Sequence, residues 1–237
     1  MKKRQYYIYG SFILLIIILL SIGKYKNSAN SNKTDLFEDS YKKQKNENKV
    51  EMDTEYFDST TNIYSNFKYK IAFDAPNNWS RDAGVSEHTI FRTFEPDSAI
   101  TFAINVIEVK LTEKEKKESV DIWEMYQKMK EKMDYPFKVL IPKQFNSKVN
   151  DFVAKKSYLK NHVAVKRSFN YLVRELDLEY SNTSIVYQTI VNGLTYTFSL
   201  DIPTMFYDEK PEYYKDLFRN IYFLANKDEL NKIQNKK

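Results

Sequence analysis

The chain contains no cysteine. Disulfide frameworks, thiolate-ligated zinc, iron–sulfur clusters, cysteine nucleophiles and lipid attachment through an N-terminal cysteine are therefore excluded. Glycine is scarce too. Gly10, Gly23, Gly84 and Gly193 are the four present, too dispersed for a phosphate-cradling loop or a nucleophile elbow. Histidine is confined to His88 and His162. An imidazole metal site or acid–base pair would thus need carboxylates brought to it by the fold. Few prolines and glycines among 237 residues also exclude collagen-like and fully disordered chains.

A basic patch is missing as well. The formal charge is +5, but Lys2, Lys3 and Arg4 supply three units of it, which leaves 34 basic against 32 acidic side chains. A nucleic-acid binder concentrates Lys and Arg on one face of its fold, because counterion release scales with the phosphates neutralised. No nucleic-acid partner is expected.

What the chain does have is an uncharged run from Gln5 to Gly23 around Phe12–Leu20. About 20 apolar residues at roughly 1.5 Å each span a bilayer, and the basic residues ahead of the run hold its start in the cytoplasm. The run reads as a membrane helix over 5–23, with residues 1–4 cytoplasmic and the rest of the chain outside. Ser21 and Gly23 also fit a signal-peptidase site. Cleavage after Gly23 would give a secreted protein instead. Residues 24–62 turn to Asn, Lys, Ser, Asp and Glu with no helical or strand period, so a flexible polar tether reaching roughly 30 to 35 Å is expected.

Residues 63–224 carry the patterns of one globular α+β domain, a largely antiparallel sheet of about six to eight strands with helices packed on it; 225–237 form a polar tail. Phe67, Tyr69, Ile71 and Phe73 alternate with Lys68, Lys70 and Ala72 as one strand, ending at the Asp74–Asn78 turn. Strands near His88–Glu95 and Ala99–Lys110 form a hairpin around Glu95–Ser98. Thr112 and Glu115 make a capping box, and Ile122, Tyr126, Met129 and Met133 follow at helical spacing as far as Pro136. Ser157–Glu179 contains further strands with Val163, Val165, Phe169, Tyr171 and Val173 facing inward. Asn192-Gly193 joins Ile185–Val191 to Leu194–Ile202, since both turn positions need positive φ. From Pro211, a helix places Tyr214, Leu217, Phe218 and Ile221 on one apolar stripe.

The segment Tyr69–Trp79, with Pro76 shortly before the tryptophan, resembles the opening strand and turn of PsbP-like domains of the exported bacterial type. The Asn192–Leu200 hairpin followed by the Tyr214–Ile221 helix is similar to the end of that domain. The likeness spans residues 63–224, and Asn78 stands where the family often has glycine. It implies an antiparallel sheet between helices, and a binding or assembly module.

No residue pattern specifies a reaction. Ser65-x-x-Lys68 matches a catalytic spacing that needs a helix, but it falls in strand pattern. Glu175, Asp177 and Glu179 alternate with apolar residues and would project from one strand face, as a cation or basic-partner site or as a solvated outer face. Trp79 either fills the core under its turn or anchors a partner, and Tyr207 and Tyr213, at the start of the final helix, read as an exposed pair. Together with Trp79 they are the candidate partner-binding residues; no catalytic residue, metal ligand or cofactor is assigned. The expectation is a membrane-tethered extracytoplasmic binding or accessory module whose partner is another envelope protein, with no catalysis. The alternative is an exported hydrolase working through Asp and Glu carboxylates.

Overall fold

The computed structural model describes residues 55–82, 88–96, 98–108, 121–175 and 178–224. The membrane segment at 5–23, most of the tether, the capping box at Thr112 and Glu115, and the tail at 225–237 lie outside them. Among the described residues no helix is long and apolar enough to cross a membrane.

The described residues form two antiparallel sheets and a few helices, an α+β fold. Strands β1 (Glu55–Asp58), β2 (Ile63–Asn66), β3 (Ile71–Asp74) and β11 (Ile221–Phe223) make the smaller sheet, in the order β1-β2-β3-β11. The larger one contains β4 (Ser80–Asp82), β5 (Thr89–Phe94), β6 (Thr101–Glu108), β7 (Val149–Leu159), β8 (His162–Glu175), β9 (Leu178–Val191) and β10 (Leu194–Pro203), ordered β4-β5-β6-β10-β9-β8-β7.

One face of the larger sheet meets the smaller sheet and the helices near residue 214. Phe73 stacks on Phe102 at 4.6 Å, and Phe102 meets the edge of Phe218 at 5.6 Å. Tyr64, Phe91, Tyr196, Leu200, Tyr214 and Leu217 join the same buried cluster. The other face is covered by α1 (Ile122–Tyr135), a π-helical turn (Pro136–Leu140) and α2 (Ile141–Gln144). There Ile122, Tyr126 and Met133 pack on Val165, and Phe137 packs on Phe169 and Val186. The larger sheet is therefore the middle layer, apolar on both faces.

Three sequence expectations change. Residues 55–62 do not belong to a polar tether, since Glu55–Asp58 pairs with Ile63–Asn66 as a hairpin; the polar composition conceals a four-residue edge strand too short to show a period. The strand expected through Phe67–Phe73 begins only at Ile71, because residues 67–70 form the turn that joins β2 to β3. Asn66 Oδ1 accepts the Tyr69 N–H at 3.0 Å and Lys70 adopts φ 48°, which turns the chain. The central α-helix ends at Tyr135 as expected, and Pro136 opens a wider π turn, where its missing N–H costs nothing. Strand β8 ends at Glu175, and β9, which pairs antiparallel with it, begins at Leu178. Glu175 and Glu179 consequently belong to opposite arms of a hairpin, with Arg174 Nε donating to Glu179 Oε2 at 2.6 Å.

Two other expectations hold, the second in its burial only. Asn192 and Gly193 take φ 52° and 76° at the β9–β10 turn. The Tyr214, Leu217, Phe218 and Ile221 stripe is buried throughout, although a short helix α4 (Pro211–Asp216) passes into a 3-10 turn (Leu217–Asn220) before Ile221 opens β11. Helix α3 (Thr204–Glu209) precedes it.

Candidate functional site

The three aromatic residues singled out from sequence lie around one end of the fold. Ala75 to Trp79 forms the link from β3 to β4, and its shape is set by Asn62. That side chain donates to the carbonyls of Ala75 and Pro76 at 3.0 and 2.6 Å, while the Trp79 N–H donates to Pro76 O at 3.1 Å. Asn78 has negative φ, so the turn does not require the glycine common in the resembling family.

Trp79 drops from this turn into the main core and is 6% exposed. Tyr213, on α4, lies beside it at the surface and is 43% exposed. Burial raises the Tyr213 phenol above its ordinary pKa, Glu95 adds to that, and the Trp79 indole N–H opposes it. Tyr214 meets the edge of Tyr213 at 5.1 Å and lies 6.5 Å from Tyr207. Tyr207 is half-buried against the core, so the expected exposed pair reduces to Tyr213. Met205, on α3, is 63% exposed.

A cleft of about 240 Å³ opens between the turn and α4, lined by Asp74, Pro76, Asn77, Tyr213, Asp216 and Asn220. Asp216 is held by Arg219 at 2.7 Å. An aromatic rim with a phenol, amides and carboxylates suits hydrogen-bonded docking of a polar surface. Among the described residues there is no group of three His, Cys, Asp or Glu that could hold a metal ion. Among the described residues the carboxylate with a raised pKa, Asp201, lies in β10 and does not line the cleft; burial raises it, with Ser184 and Tyr171 hydrogen bonds opposing.

The histidines do not meet in a cluster with these residues. His88 precedes β5. His162 begins β8 instead of occupying a turn, and packs against the edge of Phe223 at 4.9 Å. Burial lowers its pKa below 6.5. The folded state thus favours neutral imidazole, and the stability this contact contributes is complete above pH 6.5 and is lost as pH falls toward the depressed folded value. Thermal midpoints measured from pH 8 to pH 5 are expected to fall further for the wild type than for His162→Gln.

One polar constellation was not anticipated. Arg167, on β8, is 0% exposed and its Nε donates to Asp134 Oδ1 at 3.0 Å. Tyr126 donates to Asp134 Oδ2 at 2.9 Å, and Arg167 Nη1 donates to Gln188 at 3.3 Å. The guanidinium also lies against the rings of Tyr126 and Phe137. Burial and the Asp134 carboxylate push the Tyr126 phenol up to about 12. The signal was available, because Arg167 falls in phase with the inward row Val163, Val165, Phe169, Tyr171 and Val173. A charge at such a position requires a buried partner. This network clamps α1 to the sheet and does not open on the cleft.

No family model and no curated protein matches the sequence. The structure is similar to the solution structure of cyanobacterial PsbP (CyanoP) from Synechocystis, with 16% identity, 68% of this chain and 91% of that chain covered, and a TM-score of 0.46. It is also similar to a crystal structure from Bacteroides thetaiotaomicron, at 13% identity and TM-score 0.34, covering 56% of this chain and 38% of that one. The Ran-binding protein Mog1p of Saccharomyces cerevisiae is a third, at 9% identity and TM-score 0.36, covering 65% of this chain and 90% of that one. The first of these is a PsbP, the family that the Tyr69–Trp79 segment and the C-terminal hairpin and helix resemble. These are likenesses of chain path, and no ligand or activity is taken from them.

Proposed function

We propose that this protein is a membrane-tethered extracytoplasmic binding module that docks another envelope protein on the aromatic rim around Tyr213. The observation that carries this reading is the exposure of Tyr213 at a cleft mouth while the aromatic residues next to it, Trp79 and Tyr214, are committed to the core. A rigid aromatic side chain held on a packed base loses little entropy on binding and is a favourable anchor. The apolar run at 5–23 with its preceding basic residues supports the tether, and residues 24–54 supply the reach. No catalytic step is assigned to the cleft.

Tyr213→Ala is expected to change folding stability by less than about 0.5 kcal/mol. Loss of a binding anchor is worth about 2 kcal/mol, or roughly 30-fold in affinity. Capture of the partner from detergent-solubilised membranes should therefore fail for Tyr213→Ala and persist for Tyr56→Ala, which alters an exposed tyrosine on β1. Equal capture by both variants would remove Tyr213 from the site. The protein should stay with membranes through carbonate washing, and a reporter fused after Lys237 that works only in the cytoplasm should be inactive; activity there would reverse the orientation.

A further inference from the structure

We propose that β7 is a second docking element, which takes an extended acidic segment of another protein as an added strand at the edge of the larger sheet. Among the described residues β7 has one neighbour, β8, and its outer edge is open. A bulge between Asn150 and Val153, with Asp151 at φ 52°, interrupts the start of the strand. Beyond it Val153–Leu159 pairs without a break opposite Ser168–His162. Alternate backbone N–H and C=O groups along that stretch face away from β8, as on any antiparallel edge.

The side chains on this stretch select the occupant. Val153 and Lys155 project from one face of the sheet, Lys156 and Tyr158 from the other. Val153 is 51% exposed and Tyr158 is 62% exposed. Lys155 stands directly opposite Lys166 on β8, a like-charge pairing that disfavours the isolated sheet and that a carboxylate alongside would relieve. Lys156 is ion-paired with Asp121 at 3.9 Å, a part-exposed pair worth little in water, whose cation a carboxylate on an added strand can share.

An antiparallel strand laid on β7 with its centre between Lys155 and Lys156 meets, in order, Tyr158, Ser157, Lys156, Lys155, Ala154 and Val153. The complementary pattern is apolar, neutral, acidic, acidic, neutral, apolar. A second copy of β7 in this register would match Val153 with Tyr158 but would set Lys155 against Lys156, so in this register charge disfavours self-pairing and favours an acidic strand. Backbone hydrogen bonds supply affinity in such an addition, and the alternating side chains supply specificity.

The test uses the full chain and a capped octapeptide, Thr-Val-Thr-Glu-Glu-Thr-Val-Thr, with its Lys-Lys counterpart and a scrambled acidic control. The wild type should bind the acidic peptide at least about tenfold more tightly than either other peptide, with slowed amide exchange over residues 153–159. The double variant K155E/K156E should reverse the preference and bind the Lys-Lys peptide, which also shows that it is folded. Binding of the acidic peptide without slowed exchange in β7, equal binding of the scrambled control, unchanged preference in K155E/K156E, or no binding would each overturn the proposal.

Discussion

Asp134→Ala is expected to destabilise the domain by about 3 to 5 kcal/mol, the cost of leaving a buried charge without its counter-ion. Arg167 is 0% exposed and Asp134 1%, so water cannot take over the role of the carboxylate. After the substitution Arg167 keeps only Gln188 as a hydrogen-bond acceptor, and the Tyr126 hydroxyl loses its acceptor. Lys138, 3.8 Å from Asp134 and largely in solvent, loses little. Paired replacement by Asp134→Leu and Arg167→Met should cost much less than Asp134→Ala alone, because no charge remains buried. Denaturant unfolding of the two variants decides the matter. A single variant as stable as the wild type would mean that the ion pair does not clamp α1 to β8.

Trp79→Ala should cost a similar amount, about 3 to 5 kcal/mol, through a different mechanism. The indole is 6% exposed and packs within the cluster that joins both sheets and the helices near residue 214. Its removal leaves a cavity under a turn that Asn62 holds by two hydrogen bonds, so the backbone has little freedom to collapse into the space. Loss of this size is a large part of the 5 to 15 kcal/mol that usually maintains a domain, and the melting temperature should drop sharply. If Trp79→Ala left melting unchanged while abolishing partner capture, the indole would itself be the docking anchor.

The sequence was most informative where one physical signal dominated. Asn192-Gly193 marked its turn because both residues need left-handed backbone, and the Tyr214, Leu217, Phe218 and Ile221 stripe was buried because its spacing leaves one apolar face. The pattern failed where elements were short. Glu55–Asp58 and Ile63–Asn66 hold four residues each, and alternation through Phe67 to Phe73 looked continuous across a turn made by the Asn66 side chain and Lys70. In the smaller sheet the pairing of β11 with β3 joins segments that no local window contains. At the candidate site, Trp79 and Tyr213 are far apart in the chain, and nothing local to either announces their proximity. Tyr207 matched Tyr213 in composition and differed only in what packs against it.

The pairing of β11 with β3 has a kinetic consequence. Ile221 lies opposite Phe73, and the Leu224 N–H reaches Lys70 O at 2.8 Å, so the inner strand of the smaller sheet waits for a segment made long after it. Such contacts between distant parts of a chain slow folding. Until residues 221–224 arrive, the β3 edge carrying Ile71 and Phe73 is unpaired, and an exposed apolar edge is a template for association. A polypeptide threaded across a membrane from its N-terminal end would deliver β3 first and β11 late. Shortening the chain before residue 221 would leave this edge without its partner strand.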